Sequence, residues 1–328
     1  MKTLSPQEQA NIHQHYGLKV AAAIPIGTGA MSATMLLHTD QGRLFLKRYR
    51  CESTPNLDQA AEISRISFTH DAQNYLCARD FPVPRLLRNR SGGTLTIEGH
   101  EIYAISEFVE GCDFDAVQPV GALQSAGETL GRIHHELRGF HPEVDIRWEP
   151  MRDEVIGTLR RRLERIRTAE SETGGYPVLG SRIAEWMGEV ERLAAELPVR
   201  DRGDWIIHGD YRAQNLKFDA GGKVKAILDL DTARPADRTY DLAYALVFFP
   251  AVYRDTPLTP DQKFVFLEAY EEVSSLTTSE QNSLPSHLKL AYLRGMTLWL
   301  HLHDLAGMAE RVSPWIQGYL NNDITLTK

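Results

Sequence analysis

The sequence predicts an α+β chain of two lobes, a small β-rich N-terminal lobe over residues 1–108 and a larger, mostly helical lobe over 109–328. Two observations carry this. The first hundred residues hold short apolar runs broken by tight turns, and beyond Val109-Glu110-Gly111 apolar residues recur at helical spacing. Composition agrees. The chain has 328 residues, 42% of them hydrophobic and 24% charged, which is globular and not disordered. A net charge of −8 excludes the chain as a whole from binding a phosphate backbone, so nucleic acid is not expected as a partner. Cys51, Cys77 and Cys112 form no C-x-x-C pair and suit a reducing compartment. The longest apolar run, Leu242 to Tyr253, is about 12 residues against the roughly 20 a membrane span needs. With no apolar signal core near residue 1, a cytoplasmic protein without a membrane partner is expected.

Taken in order, Val20–Ile26 is an apolar strand that runs into Gly27-Thr28-Gly29. Ala33–His38 and Arg43–Tyr49 flank Asp40-Gln41-Gly42 and read as a hairpin. Leu57–Ala78 has helical spacing and stops before Phe81-Pro82-Val83-Pro84, where proline forbids continuation. Strands are expected at Gly93–Ile97 and Glu101–Phe108. In the second lobe Gly121–Leu137 is helical, and Glu154–Ala169 and Arg182–Leu197 form a helical pair joined at Thr173-Gly174-Gly175. A short β-rich stretch follows at Trp205–His208, Leu216–Phe218 and Val224–Leu228. Thr259-Pro260-Asp261-Gln262 is a helix start with a capping Thr and a Gln three residues on. A last helical pattern covers Pro285–Met308.

The chemistry concentrates in His208-Gly209-Asp210-Tyr211-Arg212-Ala213-Gln214-Asn215, after an apolar strand, and in Ile227-Leu228-Asp229-Leu230-Asp231 at the end of another. The spacing is H-x-D-x-x-x-x-N followed by a strand-end acid, the pattern of a phosphoryl-transfer loop. Such transfer needs the acceptor hydroxyl placed in line and the phosphate charge neutralised. One carboxylate, Asp210, can orient the hydroxyl and take its proton. The amide oxygen of Asn215 and the carboxylate of Asp229 are hard oxygen donors suited to Mg2+.

These blocks, with Asp237-Arg238-Thr239-Tyr240-Asp241-Leu242-Ala243, resemble the aminoglycoside phosphotransferase and choline kinase-like family of small-molecule kinases, from about Ile24 to Leu246. Gly209, where protein kinases carry Arg, suits this family. The resemblance implies a bilobal protein kinase-like fold and transfer of the γ-phosphate of ATP, with Mg2+, to a small-molecule hydroxyl acceptor: an amino sugar, aminoglycoside, amino alcohol or related metabolite. It makes Asp210 the catalytic base and Asn215 and Asp229 the metal ligands. Lys47 grips the nucleotide phosphates, and the backbone from Glu107 to Val109 meets adenine. Asp241 braces the loop and His208 shapes it. The Gly27-Thr28-Gly29-Ala30 turn is the counterpart of the phosphate loop, without its third glycine. A helix carboxylate is expected to pair with Lys47. Thr69, His70 and Asp71 lie near the expected place, and Glu62 shares a helical face with residues 66, 69/70 and 73, which favours Glu62. The acidic balance would suit a cationic acceptor.

Two alternatives are a protein Ser/Thr kinase on the same fold and a non-catalytic nucleotide-binding scaffold. Against the first, no Ala-Pro-Glu follows Asp229, and Tyr240 comes only 11 residues later. Against the second, a scaffold needs no base. Gly221-Gly222-Lys223 reads as a hairpin turn, since Val224 replaces the Ser or Thr of a Walker loop. His134-His135-Glu136 lacks zinc spacing, and His301 and His303 are too close to share a helix face. Arg160, Arg161, Arg162, Arg165 and Arg167 read as the charged face of a helical hairpin opposite Glu185, Glu189, Glu191 and Glu196, with an anion-binding patch as the other reading.

Overall fold

The computed structural model describes residues 4–28, 32–49, 59–99, 101–142, 146, 148–173, 180–197, 205–249 and 258–302. Cys51, Gly29, the Gly174-Gly175 joint and the end of the last helix toward Met308 lie outside them. Two compact units emerge. The first comprises residues 1–111, 140–146 and 225–231, and the second comprises 112–139, 147–224 and 232–328.

The first unit is built on a five-stranded antiparallel sheet in the order β1-β2-β3-β5-β4. Its strands are β1 (Val20–Thr28), β2 (Ser32–Thr39), β3 (Gly42–Tyr49), β4 (Thr96–Glu98) and β5 (Glu101–Glu107). Side chains alternate faces along a strand. On β3 this puts Leu44 and Leu46 on one side, in a core with Ile12, Leu18, Met35, Leu37 and Ile105. Phe45, Lys47 and Tyr49 fall on the other. Helix α1 (Pro6–Tyr16) supplies Ile12 to that core and ties Glu8 to Arg48 at 2.6 Å. No element was expected there, although Ser5 and Glu8 form a capping box around Pro6. On the other side α2 (Gln59–Cys77) brings His70 Nε2 to 2.9 Å from the Tyr49 hydroxyl.

The second unit is mostly helical: α3 (Pro119–Leu137), α4 (Met151–Thr173), α5 (Gly180–Glu196), α6 (Arg238–Phe248), α7 (Pro260–Val273) and α8 (Thr278–Leu302). Among them run β6 (Trp205–Ile207), β7 (Leu216–Phe218) and β9 (Arg234–Ala236), with β6 paired to β9. The turn at Asp219–Lys223 carries β7 into β8 (Val224–Ile227), so Gly221-Gly222-Lys223 is a hairpin turn as expected.

Besides α1, two helices depart from the sequence expectation. All residues of α6 are buried, so no polar face marked it as a helix. Helix α8 begins at Thr278 and runs through Pro285, not from it. Its true start is capped by Thr277, which receives the Glu280 N–H at 3.3 Å while Glu280 accepts the Thr277 N–H at 2.8 Å. With that end secured, the helix tolerates the bond that Pro285 cannot make. None of the helices among the described residues is long and apolar enough to cross a membrane.

Candidate active site

In the second unit, β6 delivers His208 into a loop that Asp241, at the start of α6, holds from beneath. Asp241 accepts the His208 N–H at 2.8 Å on one oxygen and the Gly209 N–H at 2.9 Å on the other. His134 Nε2 lies 3.1 Å from the same carboxylate, and His134 Nδ1 lies 2.8 Å from the Tyr270 hydroxyl. Burial pushes the Asp241 carboxyl up. The His134 hydrogen bond and the neighbouring His134 and His208 outweigh this and hold it below the usual carboxylate range. His134, which the sequence excluded from zinc binding, is therefore part of the brace.

Gly209 has a structural reason to be glycine. Its φ is +80°, and a Cβ there would stand 2.6 Å from the Thr232 carbonyl oxygen. Any side chain at that position would push the loop off β9's approach, where the Thr232 hydroxyl donates to the His208 carbonyl at 2.8 Å.

The loop aims Asp210, whose side chain is 19% exposed. Three donors hold it. The Tyr244 hydroxyl donates to Oδ1 at 2.5 Å, Asn215 Nδ2 to Oδ2 at 2.9 Å, and Arg212 lies 3.0 Å from Oδ2. Asn215 Nδ2 also bonds the Asp210 carbonyl at 2.8 Å, so both amide hydrogens are spent on Asp210 and the amide oxygen is left for another ligand. Burial, then the charge of Asp210, raises the Tyr244 hydroxyl, which remains a neutral donor. Tyr244 and Arg212 were missed by sequence reasoning. Arg212 lies inside the motif but its type is not prescribed there, and Tyr244 follows Asp241 by three residues, one helical turn on.

The first unit carries a second cluster. Lys47 Nζ lies 2.6 Å from Asp229 Oδ1 and 2.6 Å from Asp231 Oδ2. Burial lowers the Lys47 ammonium's pKa, but the charges of Asp231 and Asp229 more than reverse it, so the lysine stays protonated. Burial, together with the charge of Asp229, lifts Asp231 against the pull of Lys47. His70, behind Tyr49, is lowered to about 4 by burial and by Lys47, so it is neutral at physiological pH. Asp229 has a φ of +61°, a left-handed conformation that few non-glycine residues adopt and that clusters at functional positions.

Of the other expected residues, Glu62 is buried on α2, but its ion pair is with Arg65 at 3.2 Å. Lys47 takes its carboxylates from the segment after β8, and Glu62 reaches that cluster only through its charge, which helps lift Asp231. Glu107 closes β5 opposite Leu44 and accepts the Arg85 N–H at 3.3 Å, and Val109 lies just past the ladder. Gly27 pairs with Thr34 in β1, beside an irregularity in the register.

Oxygen chemistry fits a hard divalent cation. Among the described residues no group of three or more His, Cys, Asp or Glu could hold a metal by itself. Mg2+ asks for less, taking one or two carboxylates with substrate phosphates and waters. Asp229 and Asp231 already bracket one cationic group, the Lys47 ammonium.

A model of the phosphotransferase enzyme family matches residues 22–274. The homoserine kinase of Methylobacillus flagellatus is 26% identical over 283 residues, spanning 85% of this chain and 79% of its own. That of Parvibaculum lavamentivorans is 26% identical over 286 residues, with the same 85% and 79% coverage. Among solved structures, an amicoumacin kinase in complex with AMP-PNP and Ca2+ superposes with a TM-score of 0.68 at 15% identity, covering 97% of this chain and 94% of that one. The choline kinase of Cryptosporidium parvum superposes at 0.62 and 13% identity, covering 92% and 89%. These likenesses establish the protein kinase-like α+β fold.

Proposed function

This chain belongs to the phosphotransferase enzyme family, and we propose that it moves the γ-phosphoryl group of ATP, in the presence of Mg2+, to a hydroxyl of a small molecule. The observation that carries this is the held carboxylate of Asp210. A carboxylate offers about four acceptor sites, and three donors occupy Asp210. One direction on Oδ1 is open to an acceptor hydroxyl. Asp210 would orient that hydroxyl and take its proton as the new O–P bond forms and the bond to the β-phosphate oxygen breaks, with ADP leaving and the proton passing on to solvent. Lys47 would neutralise phosphate oxygens. Asn215 and Asp229 would supply metal ligands, and the metal, when bound, would offset charge on the transferring phosphoryl group. The backbone from Glu107 to Val109 would meet the adenine, and Gly27 would flank the phosphates.

Choline, homoserine and amicoumacin kinases in this fold and family act on small molecules, which supports a small acceptor here. Homoserine is the first compound to try, since its kinases align over 85% of the chain. The test is ADP release with Mg–ATP and a panel of hydroxyl compounds. Asp210→Ala should lower turnover by about 10²–10⁴-fold while nucleotide binding persists. Full activity in that variant would remove the assignment.

A further inference from the structure

The arginine run on α4 does not form one uniform charged face. Arg160 is bidentate to Glu191 at 2.7 and 2.5 Å, and Arg167 meets Glu164 at 2.5 Å, both at exposed positions. Arg162 differs. It is partly buried, it makes no ion pair with an acid among the described residues, and its Nη1 is buried without a hydrogen-bond partner. Of the charges that act on it, those of Arg294 and Arg161 repel it. Burial, then Arg294 and Arg161, pulls its pKa down to about 10.

Arg294, on α8, leads from this group to Asp210. It hydrogen-bonds the Tyr240 hydroxyl and lies 5.8 Å and 5.1 Å from the ring centroids of Tyr240 and Tyr244. Tyr244 in turn donates to Asp210. Arg212 lies on the far side of Asp210 with its Nε buried and unpartnered. Arg234, bonded to Glu154, stacks 4.9 Å over Trp148, and its Nε is also buried and unpartnered. Arg212 therefore has Asp210, Arg234 has Glu154, and the charges of both acids also reach Arg294, whereas neither acid acts on Arg162. Burying a guanidinium N–H without an acceptor is costly, and holding like charges together adds to that cost. Such an arrangement is satisfied by an anion, and arginine's planar fork fits carboxylate and phosphate oxygens best.

We propose that Arg162, with Arg294 beside it, binds an oxyanion carried by the acceptor itself, so that the acceptor is a hydroxy acid or a hydroxyalkyl phosphate and not a cationic amine. This rests on the phosphotransferase assignment and narrows its acceptor class against the expectation drawn from net charge.

The test compares matched acceptors: 4-hydroxybutyrate, 1,4-butanediol and 4-amino-1-butanol for a carboxylate, and glycerol 3-phosphate against glycerol for a phosphate. Wild-type kcat/KM should favour an oxyanion member over its neutral or cationic partner by on the order of 10²-fold. The series that shows the preference identifies the oxyanion. Arg162→Gln should erase the preference mainly through KM, and Arg162→Lys should restore part of it. Equal or better use of the diol or the amino alcohol would overturn the proposal and leave the kinase assignment standing. If none of these compounds is phosphorylated and Mg–ATP fails to raise the melting temperature, the kinase assignment fails. The anion site is then decided by phenylglyoxal labelling of Arg162, read by mass spectrometry on the wild-type chain. Protection by 4-hydroxybutyrate or glycerol 3-phosphate but not by the diol or glycerol supports the site. No protection by any of them overturns it.

Discussion

Asp210 shows how a single side chain is prepared by its neighbours. Tyr244, Asn215 and Arg212 fix its plane, so little reorganisation would be left for the acceptor hydroxyl proposed to meet it. The residue beside it is equally constrained. Gly209→Ala places a Cβ 2.6 Å from the Thr232 carbonyl at a φ of +80°. That should cost about 1–3 kcal/mol and reduce turnover as the loop shifts, seen as a lower urea midpoint together with slower ADP release. Asp229→Asn keeps a residue type that tolerates a left-handed backbone but removes the charge that faces Lys47. Mg2+ should then cease to tighten nucleotide binding, measured by calorimetry with and without the metal, and an unchanged metal response would count against Asp229 as a ligand.

At the scale of elements, Arg238 joins three helices. It opens α6, hydrogen-bonds the Ser274 hydroxyl at 2.6 Å and the Ser275 carbonyl at 2.7 Å after the end of α7, and meets both oxygens of Glu280 at 2.7 Å at the start of α8. A cation at one helix C-terminus and a carboxylate in the first turn of the next complement both dipoles. Arg238→Met leaves the Glu280 charge without its counter-ion and the Ser274 and Ser275 carbonyls without this donor, and should cost about 3–5 kcal/mol. The pair also sets a pH dependence. Burial would raise Glu280, but the bonds from Arg238 and Thr277 prevail and bring it to about 2. A depressed folded-state pKa means stability that is present above the unfolded value, about 4.3, and lost as pH falls toward 2. Wild type should therefore lose stability between roughly pH 5 and 2, and Glu280→Gln should flatten that limb. An identical acid limb in both chains would sink the idea. Asp241, held low in the same way, contributes to the same acid loss.

For the whole molecule, the first unit is assembled from distant parts of the chain. Lys47 meets Asp229 across 182 positions, because residues 225–231 pack with the sheet and the Ile227 N–H bonds the Pro82 carbonyl at 2.7 Å. A ligand that engages only the folded chain stabilises it by mass action. Mg–ATP at 100 times its Kd should add about 2.7 kcal/mol, and chelation by EDTA should remove the metal-dependent part. A melting temperature indifferent to Mg–ATP would contradict nucleotide binding.

Most strands, most helices and the His208–Asn215 motif were legible because each is written in local spacing: period two in β3, a capping box at Thr259–Gln262, and His208 to Asn215 within one loop. Helix α6 was not, since a helix buried on every face shows no periodicity. By itself, the sequence determined the family and the spacing of the residues proposed to act in it. Tertiary structure alone decided that Lys47 lies between Asp229 and Asp231 while Glu62 turns to Arg65, that Tyr244 holds Asp210, and that the Arg162 Nη1 is buried without a partner within the field of Arg294. Those pairings join residues far apart in the chain, where charge and burial depend on packing and no spacing rule reaches.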